Sequence, residues 1–214
     1  MATVVVFGAS GKVGQSVVNE AIRRGHKVTA VARDEAKLSK LSRKANAAAG
    51  DATSRDSVHS LADGADAVVV AVGGNDKKIW ANSARTMIDA LTKLGGSAPR
   101  LIHVGHGGTL EDGQGARVLD DPEFPNNMRK DALGQAEALD VLRAAKGNVR
   151  WTVICPPPVQ LVQGKRRDTY RTGTDQPVQD GRGNMAMSTD DLAVAIIDEI
   201  DKAKHVNQRF TIGY

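Results

Sequence analysis

The sequence predicts an α/β fold built on a doubly wound parallel sheet in a single domain, residues 1–214. Three observations predict it. Short β-branched runs alternate with segments of helical period along nearly the whole chain. The first such run passes directly into a glycine-rich turn and an amphipathic segment. A length of 214 residues suits one large core better than two cramped ones.

The elements follow in order. Thr3 to Phe7 is a continuous β-branched and aromatic run, as in a strand buried on both faces. Val13, Val17, Val18, Ala21 and Ile22 then recur at helical spacing, and Gly25 after Arg23 and Arg24 reads as a helix stop. Val28 to Ala32 forms the second strand, and Asp34 is placed to cap a helix running through Leu38 and Leu41. Ala45 to Ala49 is a weak third strand, inferred from the Gly50-Asp51 break and the helical segment Ser54 to Leu61 beyond it. Ala67 to Val72 is a strong fourth. The alternation continues with a helix over 79–94, a strand over 101–104, a helix over 127–145 and a strand over 151–155. Ser188-Thr189-Asp190-Asp191 opens a final helix through Ile200, and Arg209 to Ile212 ends the series as a short strand. Six βα units in series imply right-handed crossovers with helices on both faces. Two long loops, 105–126 and 156–187, follow strands at the carboxyl edge, where open α/β sheets bind ligands.

Composition narrows the function. Hydrophobic residues make up 41% and charged residues 25%, as in ordinary globular proteins and unlike disordered or fibrous chains. Apolar runs are far shorter than a membrane span or a signal-peptide core, which points to a soluble, cytoplasmic protein with no membrane partner. The single cysteine, Cys155, has no thiol partner for a disulfide or a zinc site, consistent with a reducing compartment and no metal. A net charge of +4 decides little, but seven aromatic residues (3 Phe, 2 Tyr, 2 Trp) are few for stacking nucleic-acid bases. Oligomeric state stays open.

The turn Gly8-Ala9-Ser10-Gly11-Lys12-Val13-Gly14 places Gly-x-x-Gly-x-x-Gly between a strand and a helix. Glycine permits a tight turn and lets backbone N–H groups approach a pyrophosphate, while the helix tip supplies partial positive charge. Gly14 would allow the helix to pack close to the sheet. This is the pattern of a Rossmann-like dinucleotide site. At the end of the second strand, Arg33 suits a 2′-phosphate, with Lys12 as a second cation, and favours NADP over NAD. Asp34 competes as a ribose-binding acid, yet its place before a helical pattern fits a cap.

The runs Val5 to Gly11, Ala32-Arg33-Asp34, Gly50-Asp51-Ala52-Thr53, Ala71-Val72-Gly73-Gly74 and Ser188 to Ala193 resemble the atypical short-chain dehydrogenase/reductase group. Within it the chain is most similar to the small NAD(P)H-binding proteins: NADH-flavin reductase-like proteins, NmrA-like proteins and biliverdin reductase B. The resemblance covers nearly the full length, and is more specific for fold and cofactor than for substrate. It implies that Gly8, Ser10, Gly11, Lys12 and Val13 hold the phosphates. It implies further that Asp51 and Ala52 meet the adenine, that Val72, Gly73 and Gly74 line the riboses, and that Pro156, in the Pro156-Pro157-Pro158 run, forms a rim under the nicotinamide.

Typical members of the wider group use a Tyr-x-x-x-Lys pair on the helix after the fifth strand, lysine lowering the tyrosine pKa and tyrosine passing a proton to the substrate. Aligning the apolar rhythm at Ala138 and Leu142 puts Asp131 and Gln135 at those positions, with Lys130 adjacent. The pair is absent. Reduction of a flavin or quinone does without it, since the acceptor ring spreads the charge and protons come from water. The expectation is an NAD(P)H-dependent reductase of a flavin, quinone or similar conjugated small-molecule acceptor. The alternative is a non-catalytic NADP(H) sensor of NmrA type acting through a protein partner. His106 is the candidate catalytic side chain, able to bond substrate or donate a proton near neutral pH, whereas His103 alternates with Ile102 and Val104 as a buried residue would. The basic run Gly164 to Arg171 either attracts an anionic substrate tail or is a solvated loop.

Overall fold

The computed structural model describes residues 1–39, 41, 43–159 and 161–214. In chain order the regular elements are β1 (Thr3–Phe7), α1 (Lys12–Arg23), β2 (Lys27–Ala32), β3 (Asn46–Ala49), α2 (Arg55–Ala62), β4 (Ala67–Val70) and α3 (Ile79–Thr92), followed by β5 (Arg100–Val104), α4 (Asn126–Ala144), β6 (Trp151–Cys155), β7 (Arg171–Gly173), α5 (Thr189–Lys202) and β8 (Gln208–Gly213). Among the described residues the strands form one sheet in the order β3-β2-β1-β4-β5-β6-β8-β7. Neighbouring strands run parallel, except for β7, which is antiparallel to β8.

Alternation along β1 divides the core. Val5 and Phe7 face a layer built with Val58 of α2, Met87 and Leu91 of α3, and Leu139 and Leu142 of α4. Val4 and Val6 face Val17 and Val18 of α1 together with Leu192 and Ile196 of α5. Helices therefore cover both faces, as the apolar central strands demand. The order reverses between β1 and β4, so the carboxyl ends of these two strands open a crevice at the switch point.

One expectation needs correction. The helix after Asp34 is only a 3-10 turn, Glu35–Leu38. Asp34 does cap it, accepting from the Ala36 N–H at 3.1 Å, but Leu38 alone is buried, too little anchoring to propagate a helix. The extension toward Leu41 also crosses Lys40, and the 156–187 loop contains Gln160; both positions lie outside the described residues. The sheet is the doubly wound, mostly parallel one expected, and Arg171–Gly173 adds one antiparallel edge strand to it.

Candidate dinucleotide and acceptor site

The glycine turn is shaped by two backbone collisions that any side chain would cause. Gly8 has φ +81°, and a Cβ there would sit 2.4 Å from the Ala71 carbonyl oxygen. A Cβ on Gly14 would sit 2.2 Å from the Gly8 oxygen, so only glycine lets α1 press against the turn. The Gly8 and Ala9 amides both donate to the Val31 oxygen at 3.1 Å, and the Gly11 amide donates to the Gly8 oxygen at 3.0 Å. Intrahelical bonding resumes at Gln15, whose amide reaches the Gly11 oxygen at 2.9 Å. The first-turn amides of Lys12, Val13 and Gly14 therefore open outward. No side chain caps this helix, and its first turn contains no acidic residue. Such a tip favours an anion.

Two cavities flank it. The first, about 150 Å³, is lined by Gly8, Ser10 and Gly11 from the turn, Arg33 after β2, Asp51 and Ala52 after β3, and Val72 and Gly73 after β4. Arg33 is exposed and makes no ion pair or side-chain hydrogen bond among the described residues, while the Asp34 carboxylate is engaged as a cap. Asp51 shapes its own turn, accepting from the Thr53 amide and hydroxyl at 2.8 Å each. Gly73 has open space around its Cβ position. Sequence reading missed Gly50 and Ile79, which also line this cavity. Gly50 could be suspected from its place after β3, since a Cβ there would press within 2.6 Å of Leu61 and Val31.

The second cavity, about 320 Å³, lies on the other side of the turn. It is lined by Lys12 and Val13 of α1, Gly105 and His106 after β5, Asp131 of α4 and Pro156 after β6. The predicted residues thus divide into two groups: Lys12, Val13, His106 and Pro156 belong with the second cavity. Gly14 and Gly74 line neither. Gly14 acts by close packing, and the Gly74 oxygen accepts from Lys130 Nζ at 3.3 Å, so Lys130 bridges α4 to the loop after β4. Met128, Leu161 and Thr189 also line it; they come from elements distant in sequence, and although Thr189 falls in the Ser188 to Ala193 run, nothing local marks any of the three as a cavity residue.

His103 is buried, with Nε2 2.9 Å from Gln135 Oε1, and Gln135 Nε2 donates to the Val104 oxygen at 2.9 Å. Burial pushes the His103 pKa below its ordinary value, with the Gln135 bond opposing. The side chain at the family's lysine position is therefore tied into the core. Asp131, at the tyrosine position, does face the cavity. Burial also lowers the His106 pKa, against the pull of Asp131. Cys155 is buried 3.6 Å from Thr109 Oγ1, and burial raises its pKa, so it stays a thiol.

The arginines of the basic run 164–171 are engaged internally. Arg166 pairs with Glu20 at 2.6 Å and with Asp168. Arg167 lies 4.0 Å over the Tyr214 ring, and its backbone amide donates to Asp191. Arg171 donates to the Gln179 and Tyr214 carbonyls. None of these residues lines either cavity flanking the glycine turn, so of the two readings of this run, attraction of a substrate tail would not act at those cavities.

An uncapped helix tip between two cavities at the switch point defines a nucleotide-binding α/β protein. The sequence profile of the NAD(P)H-binding family matches residues 8–203, and the chain belongs to that family. An uncharacterised protein of Bacillus subtilis, YwnB, is 30% identical over 97% of this chain and 96% of its own. A Bacteroides thetaiotaomicron structure provisionally described as an epimerase is 34% identical, with a TM-score of 0.89 over 100% of this chain and 97% of that one. A Streptococcus pneumoniae structure provisionally described as an NADH-flavin reductase is 28% identical, with a TM-score of 0.87 over 100% and 99%. Among the described residues no helix is long and apolar enough to cross a membrane.

Proposed function

We propose that this chain is an NADPH-dependent reductase of a flavin, quinone or similar conjugated acceptor. The observation that supports it most is the second cavity. It adjoins the helix tip through Lys12 and Val13 and offers His106 and Asp131, with no Tyr-x-x-x-Lys pair. Gln135 is bound to His103 and Val104, leaving no cation there to activate a proton donor. Epimerase chemistry of the short-chain type relies on that pair, so the S. pneumoniae description fits the residues better than the B. thetaiotaomicron one.

The outward amides of Lys12 and Val13, with Ser10 and Gly11, would hold the pyrophosphate. Arg33 would pair with a 2′-phosphate through charge-assisted bonds, which favours NADP over NAD. Asp51, Ala52, Val72, Gly73 and Gly74 would border the adenosine half and the riboses, and Pro156 would support the ring at the second cavity. A bound nicotinamide supplies a hydride. The chain itself contributes alignment, dry walls from Val13, Pro156 and Leu161, and polar contact from His106. A reducing, cytoplasmic setting belongs to the same proposal and is consistent with the buried free Cys155.

The test is to mix the protein with NADPH and a panel of FMN, riboflavin and quinones and follow the loss of nicotinamide absorbance. Turnover well above the protein-free control is expected. Tight binding that discriminates NADPH from NADP⁺ with no turnover would instead mark a redox sensor.

A further inference from the structure

The turn after β5 leaves the His106 ring one protonation state. A backbone amide can only donate. Because the Gly108 N–H bonds to His106 Nδ1 at 2.9 Å, Nδ1 must present a lone pair, and the single ring proton then sits on Nε2. The turn holds the ring firmly. The Thr109 amide and hydroxyl both donate to the His106 oxygen, at 3.0 and 2.8 Å, and the Gly105 amide donates to the Ile154 oxygen at 2.9 Å. Phe124 meets the imidazole edge-on, with ring centroids 6.2 Å apart. Nε2 has no protein partner among the described residues, and the residue lines the second cavity.

We infer that His106 is a fixed neutral hydrogen-bond donor whose Nε2–H recognises a conjugated carbonyl oxygen on the acceptor, and that it does not deliver a proton. The inference rests on the reductase reading and deepens it, naming the chemical feature the site selects. When an acceptor such as a quinone takes up hydride, the π bond of its enone opens and the electron pair moves onto the carbonyl oxygen. The nicotinamide is oxidised, the acceptor is reduced by two electrons, and water supplies the remaining proton to the resulting oxyanion. The Nε2–H bond strengthens as that charge grows, so it stabilises the transition state more than the ground state.

Protonating the ring would require Nδ1 to give up the Gly108 bond, and burial opposes the charge as well. The other ionisable groups lining the cavity are Asp131 from α4 and Lys12 from α1. Asp131 favours an imidazolium and Lys12 disfavours one, so the backbone bond decides between them.

Ring ¹⁵N spectra of histidine-labelled protein, recorded without cofactor from pH 5.5 to 8, test the tautomer independently of turnover. The neutral Nε2–H form is expected throughout; an Nδ1–H form, or an imidazolium above pH 6, overturns the inference. Kinetics test the role. Turnover of quinone by the unmodified protein should be flat from pH 6 to 8. His106→Phe should lose about 100-fold in kcat/KM for the acceptor, with NADPH affinity by calorimetry unchanged. His106→Gln, which restores an N–H near Nε2, should recover most of that loss. A Phe variant as active as the unmodified protein, or a Gln variant as poor as Phe, removes the donor role. If the unmodified protein turns over no carbonyl-bearing acceptor, the reductase reading fails and the donor role fails with it, whatever the spectra show.

Discussion

Arg33 is the residue on which cofactor choice turns. It is exposed at the carboxyl end of β2 on the edge of the first cavity, while its neighbour Asp34 is occupied at the Ala36 amide. Arg33→Ala should weaken NADPH about 10- to 100-fold, the worth of about 1.5–3 kcal/mol for bonds to a charged group. NADH affinity should stay within about twofold, since the lost bonds go only to the 2′-phosphate. Titrating both dinucleotides by fluorescence checks this, and an equal loss for both would assign Arg33 to the scaffold instead. At this scale the sequence was informative where backbone chemistry imposes a residue type. Gly8 and Gly14 announce themselves because any side chain strikes a carbonyl oxygen. Gln135 and Asp131 could be placed by helical rhythm, but not their fates: one is buried against His103 and the other faces a cavity.

Among the elements, α3 and α4 cross at a glycine. A Cβ on Gly134 would lie 2.3 Å from Trp80 Cε3 and 2.8 Å from the Lys77 oxygen. The helix-propensity gain of Gly134→Ala should be outweighed by overpacking, with a net loss of about 1–3 kcal/mol measurable by urea unfolding; a stabilised variant would mean that the helices separate freely. On the opposite face, α1 is joined to α5 and the 156–187 loop through charge. Glu20 is buried, and burial alone would raise its pKa, yet bonds from Arg23, Arg166 and Arg24 outweigh this and hold it at about 2, against an ordinary 4.5. Its folded pKa is depressed, so its contribution, at most about 3 kcal/mol, is complete above pH 4.5 and fades as pH falls toward 2. Glu20→Gln should therefore be less stable at pH 7, and its deficit should shrink between pH 5 and 3 in denaturant titrations. A pH-independent deficit would assign the loss to packing. The alternating strands and helices were legible because central parallel strands must be apolar throughout. The edge strand β7 was not: Arg171, Thr172 and Gly173 bury no apolar side chain, so only pairing with β8 makes them a strand. The turn after β2 was overread as a helix for a related reason, one buried leucine having too little apolar surface to extend it.

For the molecule as a whole, the sheet order places the ends of β3, β2, β1 and β4 around one cavity and those of β5 and β6 around another, with the α1 tip between them. Glycine spacing revealed that tip, whereas the division of labour across it depends on tertiary placement of Thr189, Leu161 and Met128 that no local pattern encodes. The central claim is that the outward amides of Lys12 and Val13, with Ser10 and Gly11, grip a dinucleotide pyrophosphate while Gly14 lets α1 pack close enough to present them. Calorimetric titration of NADPH into the unmodified protein and into Gly14→Val tests it most directly. Saturable one-to-one binding is expected for the first, with a loss of at least about tenfold for the second as the added side chain drives α1 away from the turn. The absence of binding heat for NADPH and NADH at several temperatures, in folded unmodified protein, would contradict it.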